Sequence, residues 1–379
     1  MPATPTQGHV VVAPDKFKGT LEGAEVAARL AAGIRRVAPH LEIRELPVAD
    51  GGEGTLAAAL AAGFTRIPAK VAGPTGLPVD AAIAVKGDTA VVELALASGL
   101  ARLPGGRTAP LAAGSYGVGQ LIGRAVSLGA KRIVLGLGGS ACTDGGAGMV
   151  QALGASLLDS EGVELPPGGA ALRRLHRIDP VLVAKTLKGV EVVVACDVDN
   201  PLLGPRGATA VYGPQKGADG EDLLVLEAGL TRWADVVAAS TGEDFRDAPG
   251  AGAAGGVGFA ALALLGATMR PGIELLLELL GFDEAVRGAR LVVTGEGCLD
   301  AQTLHGKAPA GVAAAATGAG VPVAAVAGRL ELSESEWRGA GFVAAYALTD
   351  LAEQPGDSLT RAAELAEVAG ERLAADLLA

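Results

Sequence analysis

The chain has 379 residues, more than one hydrophobic core usually serves, so two domains are expected. Half of the residues are apolar but only 3% are aromatic, so the core must be built from Ala, Val, Leu and Ile. The 31 basic and 42 acidic residues give a formal net charge of −11, which leaves no basic face for nucleic acid.

The opening MPATPTQGHVVVAPD lacks the cationic start and long apolar core of a secretory signal, so a cytoplasmic location is expected. His9 to Ala13 reads as a strand that ends at Pro14, and Leu21 to Val37 has the apolar spacing of a helix. The next unit repeats this order, with strand Leu41 to Val48, loop ADGGEGT and helix Leu56 to Ala62, an alternation that argues for a parallel sheet. Between Ile67 and Leu96 the runs shorten and turn signals intervene, which predicts strands paired through hairpins. Helix Ser115 to Leu128, strand Arg132 to Leu137, a Gly-rich loop, strand Val190 to Ala195 and helix Glu221 to Ala239 follow.

From Arg290 the early texture returns, with strand LVVTGEG, helix 307–318, strands VPVAAVAG and FVAAYALTD, and a closing helix from Ser358 to Leu378. Two uncharged stretches, 248–269 and 308–328, approach membrane-spanning length, but Gly and Pro break both. They read as loop, buried helix and strand, and no membrane partner is expected. The most economical organisation is an α/β protein of two domains: a parallel-sheet domain discontinuous in sequence, 1–72 with 288–379, interrupted by a second α/β domain at 73–287. Oligomeric state is left open by the sequence.

Five predicted strands run into loops that carry Gly with Asp, Glu or Lys: APDKFKGT, VADGGEGT, GLGGSACTDGGAGM, ACDVDNP and TGEGCLDAQT. Ligands of α/β sheets bind outside the carboxyl ends of strands, so together these loops predict a polar site. Any one of them could equally be a plain strand-to-helix turn. In the third, Gly138, Gly139 and Ser140 follow a strand, and Asp144 with further glycines leads into a helix; backbone amides and a helix N-terminus suit a phosphate. No GxxxxGK[ST] occurs in the chain, and this loop lacks the GxGxxG spacing of a dinucleotide fingerprint. Asp50, Gly51, Gly52 and Glu53 form the second loop.

In ACDVDNP, Asp197 and Asp199 lie two apart after a strand, so in an extended conformation both carboxylates face one side, an arrangement that suits Mg2+. Asp199-Asn200-Pro201 is alternatively a simple turn. Lys16, Lys18, Lys216, Lys307 and Arg329 are the cations in or near these loops, each a candidate anion partner or a solvated surface charge. Lys307 at a helix start is unfavourable unless an anion is present. Cys142, Cys196 and Cys298 are too few and too separated for a disulfide framework or a spaced zinc site, and no chemistry is assigned to them.

Read in order, APDKFKGT, ADGGEGT, GLGGSACTDGG, ACDVDNPLLGPRGA, YGPQKGA, GAAGG and TGEGCLDAQTLHGK resemble the signature set of the glycerate kinase type I family over nearly the whole chain. The resemblance implies ATP, a divalent metal and D-glycerate, with 2-phosphoglycerate as the favoured product. It also implies that the discontinuous domain is Rossmann-like, that the second is mixed α/β, and that the active site lies in the cleft between them. On this reading Asp197 is the base or acceptor-orienting group, Asp199 with Glu296 or Asp300 surrounds the metal, Gly138 to Ser140 meet the phosphates, and Lys18 and Lys307 offset substrate and phosphate charge. Thr143 and Cys298 depart from the family pattern, which touches substrate detail rather than the reaction. Two other readings are a kinase of a different small hydroxy acid and a non-catalytic metabolite-binding regulator.

Overall fold

The computed structural model describes residues 8–354 and 356–378. The first seven residues of the stretch read for a secretory signal therefore lie outside the described residues. Thirteen strands occur among the described residues. In chain order they are β1 (His9–Val12), β2 (Ile43–Glu45), β3 (Thr65–Ala72), β4 (Pro78–Lys86), β5 (Thr89–Glu93), β6 (Arg132–Gly136), β7 (Ser156–Leu158), β8 (Arg177–Asp179), β9 (Glu191–Ala195), β10 (Thr268–Arg270), β11 (Ala289–Leu299), β12 (Val323–Leu330) and β13 (Phe342–Ala347). Two compact units result. One takes the chain up to Asp50, Ala57–Ala62 and everything from Ile273 on; the other takes Gly51–Leu56 and Gly63–Gly272.

The first unit holds an all-parallel sheet in the order β13-β12-β11-β1-β2. The central strands β1, β11 and β12 are apolar on both faces over their buried lengths, as a sheet covered on both sides requires. Val10, Val12, Leu291, Val293, Ala324 and Val326 pack with the helices Gly23–Val37 and Ala362–Leu377. Val11, Ala13, Val292, Val323, Ala325 and Ala327 pack on the other face, with helix Ala308–Gly318 and with Ile273, Leu277 and Leu280. The alternation along each strand thus sorts its residues into two cores. Helices Gly23–Val37 and Ala362–Leu377 cross closely because a Cβ on Gly33 would overlap the Glu367 backbone and one on Gly370 the Leu30 carbonyl. Since the chain moves from β1 to β2 on one side and later enters β11 on the other, β1 and β11 flank a topological switch point.

The second unit holds a six-stranded mixed sheet, β10-β9-β6-β5-β4-β3, in which β3, β4 and β5 pair antiparallel and the remaining neighbours pair parallel. β7 and β8 make a separate antiparallel pair that has no counterpart in the strands predicted from sequence. Helix Tyr116–Ser127 covers one face through Val118, Leu121 and Ile122, in a core that also takes Ile83, Val92, Leu135, Val194 and Trp233.

The units differ from the sequence reading in three places, the first being Gly51–Leu56, assigned there to the first domain but part of the second unit. Residues 65–72, assigned there to the first domain, form β3, whose eight residues pair in register with β4 of the second unit. Residues 273–286, assigned to the insertion, join the first unit because Ile273, Leu277, Leu280, Phe282 and Val286 are buried in its core. The stretches 248–269 and 308–328 resolve into buried helix and strand, and no helix among the described residues is long and apolar enough to cross a membrane.

The contact between β11 and β12 leaves no room for a side chain at Gly295, where a Cβ would overlap the Val326 carbonyl oxygen. Gly295→Ala is expected to lower stability by roughly 1–3 kcal/mol in urea unfolding, as overpacking does. Gly318→Ala, where a Cβ meets nothing within 4 Å, should be neutral or stabilise by up to about 1 kcal/mol.

Candidate active site

In the first unit the sequence-marked loops meet at the carboxyl ends of β1 and β11. The turn after β1 lies across β11, with Asp15 N donating to Gly295 O at 2.8 Å and Thr294 Oγ1 donating to Ala13 O at 2.8 Å. Gly297 is needed there, because a Cβ on it would stand 3.0 Å from Lys18 N. The strand read as LVVTGEG runs two residues further than expected, through Cys298 and Leu299, which pair with Arg329 and Leu330 of β12. The loop begins only at Asp300.

Lys307 caps helix Ala308–Gly318 and lies 3.6 Å from Glu296 Oε2 and 3.5 Å from Asp300 Oδ1. The cation that looked misplaced at a helix start is therefore offset by two carboxylates of the protein itself. Thr303 Oγ1 donates to Glu296 Oε1 at 2.5 Å, and the Gln302 and Thr303 N–H groups donate to Asp300 Oδ1 at 2.8 and 3.3 Å, which fixes both acids. Burial holds the Glu296 carboxyl above its ordinary range, against the Thr303 hydroxyl and the Lys307 ammonium. Lys18 is exposed and makes no ion pair among the described residues, so its charge is available. Lys16 N donates to Asp15 Oδ1 at 2.7 Å. Arg329 is instead paired with Glu331 at 2.7 Å on the surface.

Asp15 is the residue that sequence reasoning missed in this unit. Its carboxyl is pushed up to about 7, first by burial and then by the neighbouring Asp50 carboxylate, with Lys16 opposing and Glu296 adding to the rise. The available signal was a carboxylate one residue past Pro14, overshadowed by the two lysines of the same motif.

In the second unit, loop 51–53 lies against the carboxyl ends of β6 and β9. Gly51, at φ +89°, leaves only 2.7 Å between a would-be Cβ and Ala195 Cβ. A Cβ on Gly136 or Gly138 would intrude on Gly51 or Gly52, and Gly138 N donates to Gly51 O at 3.4 Å. Gly139, at φ +74°, sits beside the Glu53 side chain, and Ser140 bridges to Gly99. The Gly51, Gly52, Glu53, Gly138, Gly139 and Ser140 candidates are thus one contiguous backbone surface. Glu93, unmarked in sequence, is buried at the end of β5 and accepts from Leu56 N at 2.9 Å.

Two expected anion-binding residues are interior instead. Asp144 is 1% exposed, and its carboxylate accepts from Ser115 N, Ser115 Oγ, Gly146 N and Gly148 N at 2.8–3.1 Å. The amides proposed for a phosphate at that helix start are therefore held by the chain's own carboxylate. Lys216 is also 1% exposed, and its Nζ donates to Cys142 O at 2.6 Å. Burial pushes its pKa down, partly offset by Cys142 and Asp144. Burial likewise pushes the Cys142 thiol far up, away from nucleophilic use.

Behind this loop, Ala254, Gly255 and Gly256 take φ values of 53°, 68° and 89° in succession. That left-handed run presses Gly255 onto Cys142 and Thr143, and Gly145 N donates to Gly255 O at 3.0 Å.

Asp197 and Asp199 do not share one side. Asp197 Oδ1 accepts from Gly272 N at 2.7 Å, whereas both oxygens of Asp199 accept from Arg206 at 2.9 and 3.0 Å. Asp199 is thus engaged in a surface ion pair in the turn-like segment that the alternative reading described.

Asp144→Asn replaces one acceptor oxygen by a donor facing N–H groups, and it is expected to cost on the order of 2–4 kcal/mol. A lowered urea midpoint checks this; a midpoint equal to wild type would show that the clamp carries no stability.

The family model described as glycerate kinase family matches residues 10–378. A glycerate kinase of Bacillus subtilis (strain 168) is 45% identical over 371 residues, covering 97% of each chain. A glycerate 2-kinase of Escherichia coli (strain K12) is 45% identical over 325 residues, covering 85% of each. Among solved structures, a Salmonella typhimurium LT2 protein named for glycerate kinase 2 is similar with a TM-score of 0.86 and 40% identity, over 98% of each chain. With the parallel sheet, its switch-point loops and the glycine loops in place, these likenesses establish that the chain is a kinase and belongs to the glycerate kinase family.

Proposed function

We propose that this enzyme transfers the terminal phosphoryl group of ATP to D-glycerate and forms 2-phosphoglycerate. The observation that carries the reading is the placing of Lys18, Lys307, Glu296 and Asp300 at the β1/β11 switch point, where open α/β sheets bind ligands. The name of the Escherichia coli relative, glycerate 2-kinase, supports the position of phosphorylation.

Phosphoryl transfer needs positioning and charge stabilisation more than covalent chemistry. Lys18, free of any carboxylate partner among the described residues, draws the anionic substrate. Lys307 and the N-terminus of helix Ala308–Gly318 stabilise transferred phosphate. The glycines at 51, 138 and 139 let these loops pack on one another and bring their backbone groups together at the sheet end, where a phosphate would meet them. Asp197 accepts the proton of the attacking hydroxyl or orients it; its Oδ2 is the oxygen not engaged by Gly272 N.

For Mg2+ the donor chemistry fits. Burial first, then the Asp50 carboxylate and to a smaller degree Glu296, hold the Asp15 carboxyl above its ordinary range, and a hard dication would offset these acids. Asp300 shares Lys307 with Glu296 and, among the described residues, has its ligand atom within 4.8 Å of those of Cys298 and Glu331, so it is a further donor candidate, whereas Asp199 is taken by Arg206. When bound, Mg2+ supplies charge neutralisation at the β- and γ-phosphates.

ADP release is expected only with ATP, Mg2+ and D-glycerate together, and a phosphorus-coupled NMR spectrum of the product should place the ester on C2. Release with another hydroxy acid at higher kcat/KM would reassign the substrate, and an ester on C3 would overturn the product. Asp197→Asn keeps the acceptor for Gly272 N but removes the charge, so kcat should fall roughly 10²-fold or more with the fold intact. Wild-type kcat and KM in that variant would remove Asp197 from the chemistry.

A further inference from the structure

Outside these loops, the second unit has an open groove of about 560 Å³ lined by Asp159, Ser160, Glu161, Arg173, Arg174, Leu175, His176 and Arg232. Three guanidinium groups on one cavity are unusual in a chain of net charge −11. Elsewhere arginines such as Arg29, Arg36, Arg246 and Arg361 are spent on carboxylates. Arg173 and Arg174 make no such pair among the described residues. Arg232 is held in place by its Nε, which donates to Leu175 O at 2.6 Å, and its two terminal nitrogens have no partner among the described residues. Of the acids on the rim, Asp159 already accepts from Glu161 N and Val163 N through Oδ1.

We propose that this groove is a second ligand site, sharing no residue with the glycine and switch-point loops, that takes a small organic phosphate with at least two negative charges. Planar guanidinium forks match phosphate oxygens in pairs, which a lysine does not do. The volume is that of a small-molecule site. Asp159 and Glu161 at the rim, together with the overall negative charge, disfavour a long polyanion.

The groove is also joined to the loop that carries Thr143. Gly169, which opens the short helix ending at Arg174, packs against Thr143 O, and Gly229 of helix Gly220–Thr241 packs against Gly169 O. Trp233, next to Arg232, donates from Nε1 to Gly145 O at 2.9 Å. Occupation of the groove therefore bears on the Cys142–Gly145 segment, and Trp233 reports it.

The test uses the full chain and inorganic pyrophosphate as the probe, by calorimetry at about 0.15 M salt, where exposed charges are screened. Trp233 fluorescence in a Trp337→Phe background gives a second readout. Wild type should bind with a Trp233 response. Arg173→Gln with Arg174→Gln should weaken binding at least about tenfold, and Arg173→Lys with Arg174→Lys should restore it only in part. Basal turnover should persist in both, since the two arginines are exposed and lie outside the catalytic loops. Absence of binding to wild type, equal affinity in the Gln variant, or full recovery with Lys would overturn the proposal. Citrate binding more tightly than pyrophosphate with the same arginine dependence would make the groove a polycarboxylate site and overturn the phosphate assignment.

Discussion

Backbone packs directly on backbone at the points where chemistry-bearing loops leave the sheets, and the rest of the molecule depends on this constraint. Gly295 against Val326, Gly297 against Lys18, Gly51 against Ala195 and Gly138 against Gly52 all leave less space than a Cβ requires. Such approaches bring amides and carbonyls of different loops into one surface, and they tolerate no side chain. The 57 glycines are thus partly a packing device. With few aromatic residues to fill gaps, small residues bring elements together instead, as Gly33 and Gly370 do where two helices cross.

Once the loops are drawn that close, their charges must be compensated locally. Lys307 between Glu296 and Asp300, with Thr303 fixing both acids, is a nearly balanced set. Asp15 beside Asp50 and Glu296 is not balanced, and burial first and then the Asp50 carboxylate push its carboxyl up to about 7. A balanced set positions groups, whereas an unbalanced one attracts a cation. Asp144, whose carboxylate is satisfied by four donors, serves the loop, whereas Asp197 is exposed and accepts from Gly272 N.

Buried polar groups in the second unit follow the same rule at higher cost. Lys216 is an ammonium with one carbonyl partner, placed under the loop from Cys142 to Gly145, and burial lowers its pKa accordingly. Trp233 reaches the same loop from the opposite helix through Gly145 O. The loop is therefore gripped by a lysine, a carboxylate, an indole and the left-handed run at Ala254–Gly256, a stiff support for the glycines that precede it.

The sequence by itself determined what repeats with a period or punctuates the chain. Apolar runs ending in Gly-Asp loops marked β1, β6, β9 and β11, and helical spacing marked Gly23–Val37, Tyr116–Ser127 and Gly220–Thr241, because both signals are local. The ordered motifs carried the family for the same reason. Only tertiary structure decided which charged residues are interior and which are exposed. Asp144 and Lys216 stand in motifs as conspicuous as those of Asp197 and Lys18, yet they are interior, and nothing within a few residues of either announces Ser115 or the Cys142 carbonyl, which lie 29 and 74 residues away. The strand read as LVVTGEG extends through Cys298 and Leu299 because pairing with β12 supplies hydrogen bonds that propensity cannot foresee. Hydrogen-bond partners distant in sequence are settled by folding, and whether a charge serves the fold or the chemistry depends on them.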